Sequence, residues 1–373
     1  MTTVDQAVVP LASPGLENKR LRAMIVAAMA RVVDGGSYIL GSEVKGFEAA
    51  LAGSVGAAGA IGVGCGTEAL TLALLALGIG PGDEVLAPSH TAGPTVAAIN
   101  MIGATPVLVE VDPADYCIHP EAAAAAIGPR TRAIIAVHLY GHPADLDALG
   151  DIARKAGIEI VEDCAQAQGA RIGSARVGAI GALGCFSFYP TKNLGAIGDA
   201  GAVTARDGRL VEKLAQLRTY GWTDSQFAGI EGGRCTRLDE LQAAVLSVKL
   251  EHVEAGNERR RAIARRYADE LAGLPLALPS ERVGTRHVYH LYVVRSERRD
   301  VLAEHLKTRG IMTGRHYPFP VHVQPGLAAR ARIPVPLELT DRLAEEILSL
   351  PMFPDMTDAQ IDRVVTAIKE FFE

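Results

Sequence analysis

A chain of 373 residues with 49% hydrophobic side chains is long enough to bury two cores and too apolar to be disordered. Its net charge of −6, from 37 basic and 43 acidic residues, argues against nucleic acid as a default partner. No apolar run approaches the ~20 residues of a membrane helix, and the five scattered cysteines form no CxxC pair, so a reduced cytoplasmic protein without disulfides or a zinc site is expected.

The periodicity predicts an amphipathic helix over 18–34, with Leu21, Met24, Ile25 and Ala28 at helical spacing and Gly35-Gly36 as the stop, then a short helix over 44–52. The first residues lack the basic and apolar stretches of a secretory signal. From about residue 60, short apolar strands alternate with helices. The strands are 60–63, 85–87, 106–111, 133–137 and 158–161; the helices are 67–77, 94–101, 120–127 and 144–156. Further strands follow at 183–188 and 201–204. Strands that are apolar throughout suit a sheet covered on both faces, and the alternation predicts a mostly parallel α/β sheet. The pattern changes near 237. One long helix is expected over 238–271, kinked at Gly256, then a strand at 290–294, helices at 299–309 and 358–372, and a loop rich in Pro and His at 315–336. The organisation expected is a large α/β domain over 1–250, including the N-terminal helical segment, and a small α+β domain over 251–373.

Three segments carry chemistry. Gly62-Val63-Gly64-Cys65-Gly66-Thr67 joins a strand to a helix, where free N–H groups and the positive end of the helix dipole suit an anion. On its own it reads equally as a Gly-rich turn. Glu162-Asp163-Cys164-Ala165-Gln166 follows a strand directly, where a carboxylate could hold a cationic heterocycle or simply cap a helix. Ser187-Phe188-Tyr189-Pro190-Thr191-Lys192-Asn193-Leu194-Gly195 also follows a strand and sets Lys192 among apolar neighbours, where partial desolvation favours a nucleophilic amine. An anion cradle, a strand-end Asp and a strand-end Lys in one α/β domain match the needs of pyridoxal 5′-phosphate (PLP). Its phosphate needs a cradle, its ring nitrogen a carboxylate, and its aldehyde an amine for a Schiff base. His138 and His142 lie at a strand end and in a loop, with no third ligand, so no metal site is expected. The arginines at 259–261, 265 and 266 read as a solvated helix face, or as a phosphate contact at a dimer interface.

From about residue 35 onward the chain resembles the DegT/DnrJ/EryC1/StrS family of PLP-dependent sugar aminotransferases. The resemblance rests on Gly66-Thr67-Glu68-Ala69-Leu70, Gly80 to Val85, Val137 to Gly141, Glu162 to Ala167, Ser187 to Ala196 and Arg237 to Ala244. It implies a fold type I transferase working as a homodimer with shared sites. It implies amino transfer from glutamate to a keto-sugar nucleotide. By the same resemblance Lys192 would carry the cofactor and shuttle protons, Asp163 would pair with the ring nitrogen, Gln166 would bond the ring hydroxyl and Ala165 would lie under the ring. Gly66, Thr67 and Ser187 would hold the phosphate. The segments 287–292 and 316–322 resemble the branch acting on dTDP-linked 3-keto-6-deoxyhexoses, with Tyr189, His316 and Tyr317 as sugar contacts; a 4-keto sugar or another nucleotide stays open. Two positions depart from the family pattern. Ala92 stands where an aromatic commonly stacks on the ring, which makes His90 the substitute. Cys235 stands where an Asn commonly reaches the neighbouring subunit's phosphate. These departures leave a non-catalytic binding or regulatory role as the alternative; sugar dehydration is disfavoured, because that branch has His in place of Lys192.

Overall fold

The computed structural model describes residues 8–373. Its centre is a seven-stranded sheet of β1 (Gly59–Val63), β2 (Glu84–Pro88), β3 (Thr105–Val109), β4 (Thr131–Val137), β5 (Glu159–Asp163), β6 (Leu183–Ser187) and β7 (Gly201–Ala205), in the order β1-β7-β6-β5-β4-β2-β3. Only β7 runs antiparallel to its neighbours, β1 and β6. The remaining pairs are parallel. Each β2 residue is buried, as are the last four of β3, β4 and β5. The strand sequences are therefore apolar runs rather than alternations.

The helices between strands cover both faces. That over Gly66–Ala76 is buried around nearly its whole circumference, and contacts β6, β7 and the helix Gly93–Met101. Gly36 and Gly56 close their helices in the left-handed conformation, at φ 67° and 82°, which costs a residue without Cβ little. The expected helix over 18–34 is two helices, Pro14–Arg20 and Arg22–Gly35, joined at Leu21. The long helix expected over 238–271 is likewise two, Glu240–Leu250 and Val253–Leu271. The break falls at Glu251-His252, and Gly256 sits inside the second helix, donating its N–H to the His252 carbonyl at 3.0 Å.

A second apolar cluster gathers Tyr267, Leu271, Val294, Leu302, Leu350, Phe353, Ile361 and Ile368. It is built on the antiparallel pair β8 (Tyr292–Arg295) and β9 (Ile347–Leu350) and the helix Asp358–Phe372, whose start carries a reciprocal capping box between Thr357 and Gln360. Val9 belongs to this cluster: its N–H and C=O bond Gly310 and Met312, each at 2.9 Å. Val9 and Leu11 thus pack with the C-terminal residues, whereas the helix Arg22–Gly35 packs on the helix Glu240–Leu250 through Ile25, Ala28 and Val32. The basic stretch is also not a uniform solvated face. Arg260 is buried, donating to the carbonyls of Tyr289, His290 and Met352, and burial pulls its pKa down to about 10. Arg259 and Arg261 reach Asp358 and Glu281. Among the described residues no helix is long and apolar enough to cross a membrane.

Candidate active site

Parallel strands open their carboxyl ends on one side of the sheet, and ligands collect there. A cavity of about 370 Å³ lies at that edge, and Gly66, Thr67, Asp163, Ala165, Gln166, Ser187, Tyr189, Lys192 and Tyr317 all line it. Segments far apart in sequence therefore meet in one space.

The cradle comes from β1, β6 and β7. Cys65, extended at φ −166°, precedes the helix Gly66–Ala76 and offers its first turn no side-chain cap. The first N–H groups and the positive end of the dipole are left for a ligand. The approach is close enough to need glycine twice. A Cβ on Gly66 would lie 2.7 Å from Cβ of Ser187, and one on Gly201 would lie 2.5 Å from the Cys65 carbonyl. From behind, Gly64 N–H donates to Thr236 Oγ1 at 3.1 Å and fixes the loop.

Asp163 ends β5 and is buried. Its Oδ2 accepts from the Thr95 hydroxyl at 2.9 Å and its Oδ1 from Ala165 N–H at 3.1 Å. Both hydrogen-bond donors are neutral, and burial raises its pKa despite them and despite the Lys192 charge. A buried carboxylate held this way favours a cationic partner.

Lys192 follows β6 on the loop to β7. Burial pulls its pKa down to about 8, with Asp163 opposing, so more of it is neutral amine near neutral pH than for an exposed lysine. The loop is held from behind. Asn193 Nδ2 donates to Asn257 Oδ1 at 2.8 Å, its Oδ1 meets His290 Nδ1 at 3.1 Å, and the buried Lys249 ammonium donates to the Gly195 carbonyl at 2.7 Å.

Gln166 is oriented at both ends: Oε1 accepts from Tyr140 N–H at 2.7 Å and Nε2 donates to the Tyr317 hydroxyl at 2.8 Å. That leaves its second N–H free to bond a ring hydroxyl. Burial pushes the Tyr317 pKa to about 12, so it stays a phenol. Tyr189 is 54% exposed at the mouth.

Three expected residues stand elsewhere. His90 is fully buried behind the wall made by Thr91 and Ala92. Its Nε2 meets the Tyr140 hydroxyl at 2.7 Å and its ring packs edge-on to Tyr140. It therefore does not face the cavity and cannot stack on a ring there; the site residues beside Ala92 are aliphatic or hydroxylated. His316 bonds Ser349 Oγ at 2.8 Å and lies outside the lining, close enough to Lys192 that the amine adds to the burial in holding its pKa near 4. Cys235 is exposed, takes a 3.1 Å contact from Arg237 Nη2, and does not line this chain's own cavity. His138 donates to Glu162 and accepts from Ala144 N–H, while His142 bonds Pro143 O and Arg282 N–H, so both rings are occupied by protein partners. Sequence reasoning missed Thr95, Asp199, Leu139 and Leu70 in the lining.

The sequence profile of the DegT/DnrJ/EryC1/StrS aminotransferase family matches residues 19–369. The chain belongs to that family. The aminotransferase is 48% identical to the dTDP-3-amino-3,4,6-trideoxy-alpha-D-glucose transaminase of Streptomyces venezuelae, over 95% of this chain and 94% of the relative. It is 44% identical to the UDP-N-acetyl-3-dehydro-alpha-D-glucosamine 3-aminotransferase of Acidithiobacillus ferrooxidans, over 94% of each chain. The crystal structure of S. venezuelae DesV in complex with a ketimine intermediate superimposes with a TM-score of 0.96 at 47% identity, covering 99% of both chains. PLP is the cofactor of such enzymes, and the residues present fit it. The uncapped helix start and the two close-approach glycines suit its phosphate, Asp163 its ring nitrogen and the Lys192 amine its aldehyde. The non-catalytic alternative falls away: the aminotransferase is an enzyme acting on sugar nucleotides.

Proposed function

We propose that this aminotransferase moves the amino group of glutamate onto C3 of a dTDP-linked 3-keto-6-deoxyhexose. The observation that carries the regiochemistry is that both relatives named above are named for an amino group at C3, one of a dTDP sugar and one of a UDP sugar. The 48% identity to the first favours dTDP and a deoxysugar.

The chain's residues divide the work. PLP, when bound, supplies the electron sink that stabilises negative charge at the substrate carbon. The first turn of Gly66–Ala76, with Thr67 and Ser187, holds the phosphate. Asp163 keeps a positive charge on the ring nitrogen, and Gln166 bonds the ring hydroxyl. Lys192 Nζ, its basicity lowered by burial, takes a proton from the substrate carbon and returns it as a general acid. Tyr189 and Tyr317 flank the mouth where a sugar would enter, with His316 behind them. The test is incubation with glutamate and a panel of 3-keto and 4-keto sugar nucleotides, read by mass spectrometry. Amination of dTDP-linked 3-keto-6-deoxyhexose is expected; amination of 4-keto sugars alone would overturn the assignment.

The same reading makes the enzyme a cytoplasmic homodimer with shared sites. Among the described residues that line the cavity Lys192 is the one cation, whereas a cofactor phosphate, a nucleotide diphosphate and a dicarboxylic donor bring many negative charges. Cys235 and Arg237 lie on the 232–239 segment and do not line their own cavity, and Phe227, earlier in the same stretch of chain, is 64% exposed. Both features suit delivery of this segment to a partner copy. Sedimentation velocity at assay concentration is expected to show a dimer; an active monomer would refute the sharing.

A further inference from the structure

The Asp163 carboxyl group has a partner that no motif contains. Thr95 is the third residue of the helix Gly93–Met101, is 1% exposed, and donates its hydroxyl proton to Asp163 Oδ2 at 2.9 Å. The Thr91 hydroxyl, also buried, lies 3.1 Å from Thr95 Oγ1. A hydroxyl has one proton to give, and an ionised carboxylate can only accept. The Thr95 proton is thus committed to Asp163, and Thr91 must donate to Thr95. Two hydroxyls point one way, toward the carboxylate. The helix that carries Thr95 begins beside the site with Ala92 at its cap and no side-chain cap bond, so its positive end reinforces the same direction.

We propose that Thr95, backed by Thr91, is a positioning residue for the transamination: it keeps Asp163 ionised and fixes the rotamer that presents the carboxylate to the cofactor ring. The inference rests on the PLP reading of this cavity. Burial raises the Asp163 pKa, and the Thr95 hydroxyl is the strongest of the groups that pull it back, ahead of Ala165 N–H, Lys192 and His138. Around the carboxyl, Cys185 and Tyr317 supply no positive charge that could replace it. The side chain also lines the cavity itself, so it does not act from a distance.

The hydroxyl and the methyl of Thr95 can be separated. Thr95→Val keeps the shape and loses the donor; Thr95→Ser keeps the donor and loses the methyl. PLP affinity of the apoprotein, titrated by absorbance, is expected to fall about tenfold or more in Thr95→Val, in line with loss of a hydrogen bond to a charged group. It should stay within about threefold of wild type in Thr95→Ser. The single-turnover rate with glutamate should follow the same order. If packing alone matters, the order reverses, and that result overturns the proposal, as does wild-type affinity in Thr95→Val. Should Thr95→Val not fold, Thr91→Val reads the relay one step back: a several-fold loss of affinity supports it and unchanged affinity overturns it. A wild-type protein that binds no PLP would instead sink the cofactor reading, so the two failures are distinct.

Discussion

Lys192→Ala is expected to reduce turnover by about a thousandfold or more, within the range lost when a general acid–base is removed together with a covalent anchor. The expectation rests on geometry as well as motif. The amine faces the same cavity as Asp163, its pKa is near 8, and its loop is pinned by Asn193, Gly195 and their partners. Lys192→Arg should be equally inactive although it restores the charge, because a guanidinium does not deprotonate in proteins and cannot act as the nucleophile. Both variants should lose the visible absorbance of the purified wild type near 410–430 nm, roughly where a lysine-bound cofactor absorbs. Steady-state assay and absorbance together check this, and near-normal turnover in Lys192→Ala would remove the residue from the chemistry.

Asp163→Asn is expected to fold normally and lose roughly a hundred- to a thousandfold in the half-reaction with glutamate. Breaking a buried charge pair costs about 3–5 kcal/mol, and each 1.36 kcal/mol is tenfold in rate. Without cofactor the substitution acts the other way on stability, because it removes a buried charge whose hydrogen-bond donors are both neutral. The amide, however, offers one acceptor oxygen where the carboxylate has two, so either Thr95 or Ala165 N–H loses its partner. The two effects offset, and the apoprotein melting temperature should move by only a few degrees while the rate collapses. Single-turnover kinetics beside thermal denaturation of the apoprotein measures both; a wild-type rate would reduce Asp163 to a structural cap.

The groups that meet in the cavity were legible wherever a strand delivers them. Gly66, Asp163, Ser187 and Lys192 all follow buried apolar runs, and the fold places strand ends together. Thr95 was not legible, because a threonine in the first turn of a helix looks the same whether or not a carboxylate faces it. His90 was misread for a related reason: its neighbours Thr91 and Ala92 face the cavity, while its own ring turns inward to Tyr140. In the fold, the helix Gly208–Leu217 carries Leu210, Val211, Leu214 and Leu217 at helical spacing, a pattern that the local sequence holds. The strand Ile347–Leu350 exists through its pairing with Tyr292–Arg295, a partner more than fifty residues away that local pattern cannot reveal. The break at Glu251-His252 lacks Gly or Pro to announce it; tertiary packing sets it.

The pinning of the Lys192 loop also bears on the order in which the protein matures. Asn193 bonds Asn257 and the Val288 carbonyl, and Lys249 holds Gly195 while pairing with Glu17 near the opposite end of the chain. These contacts come from segments outside the strands that flank the loop, so they exist only once those segments have docked. A nascent chain with only its central sheet assembled would carry Lys192 on an untethered, solvated loop, where the ammonium keeps its ordinary basicity. The lowered basicity of the amine thus depends on remote segments docked around the loop, and not on the loop's own sequence alone.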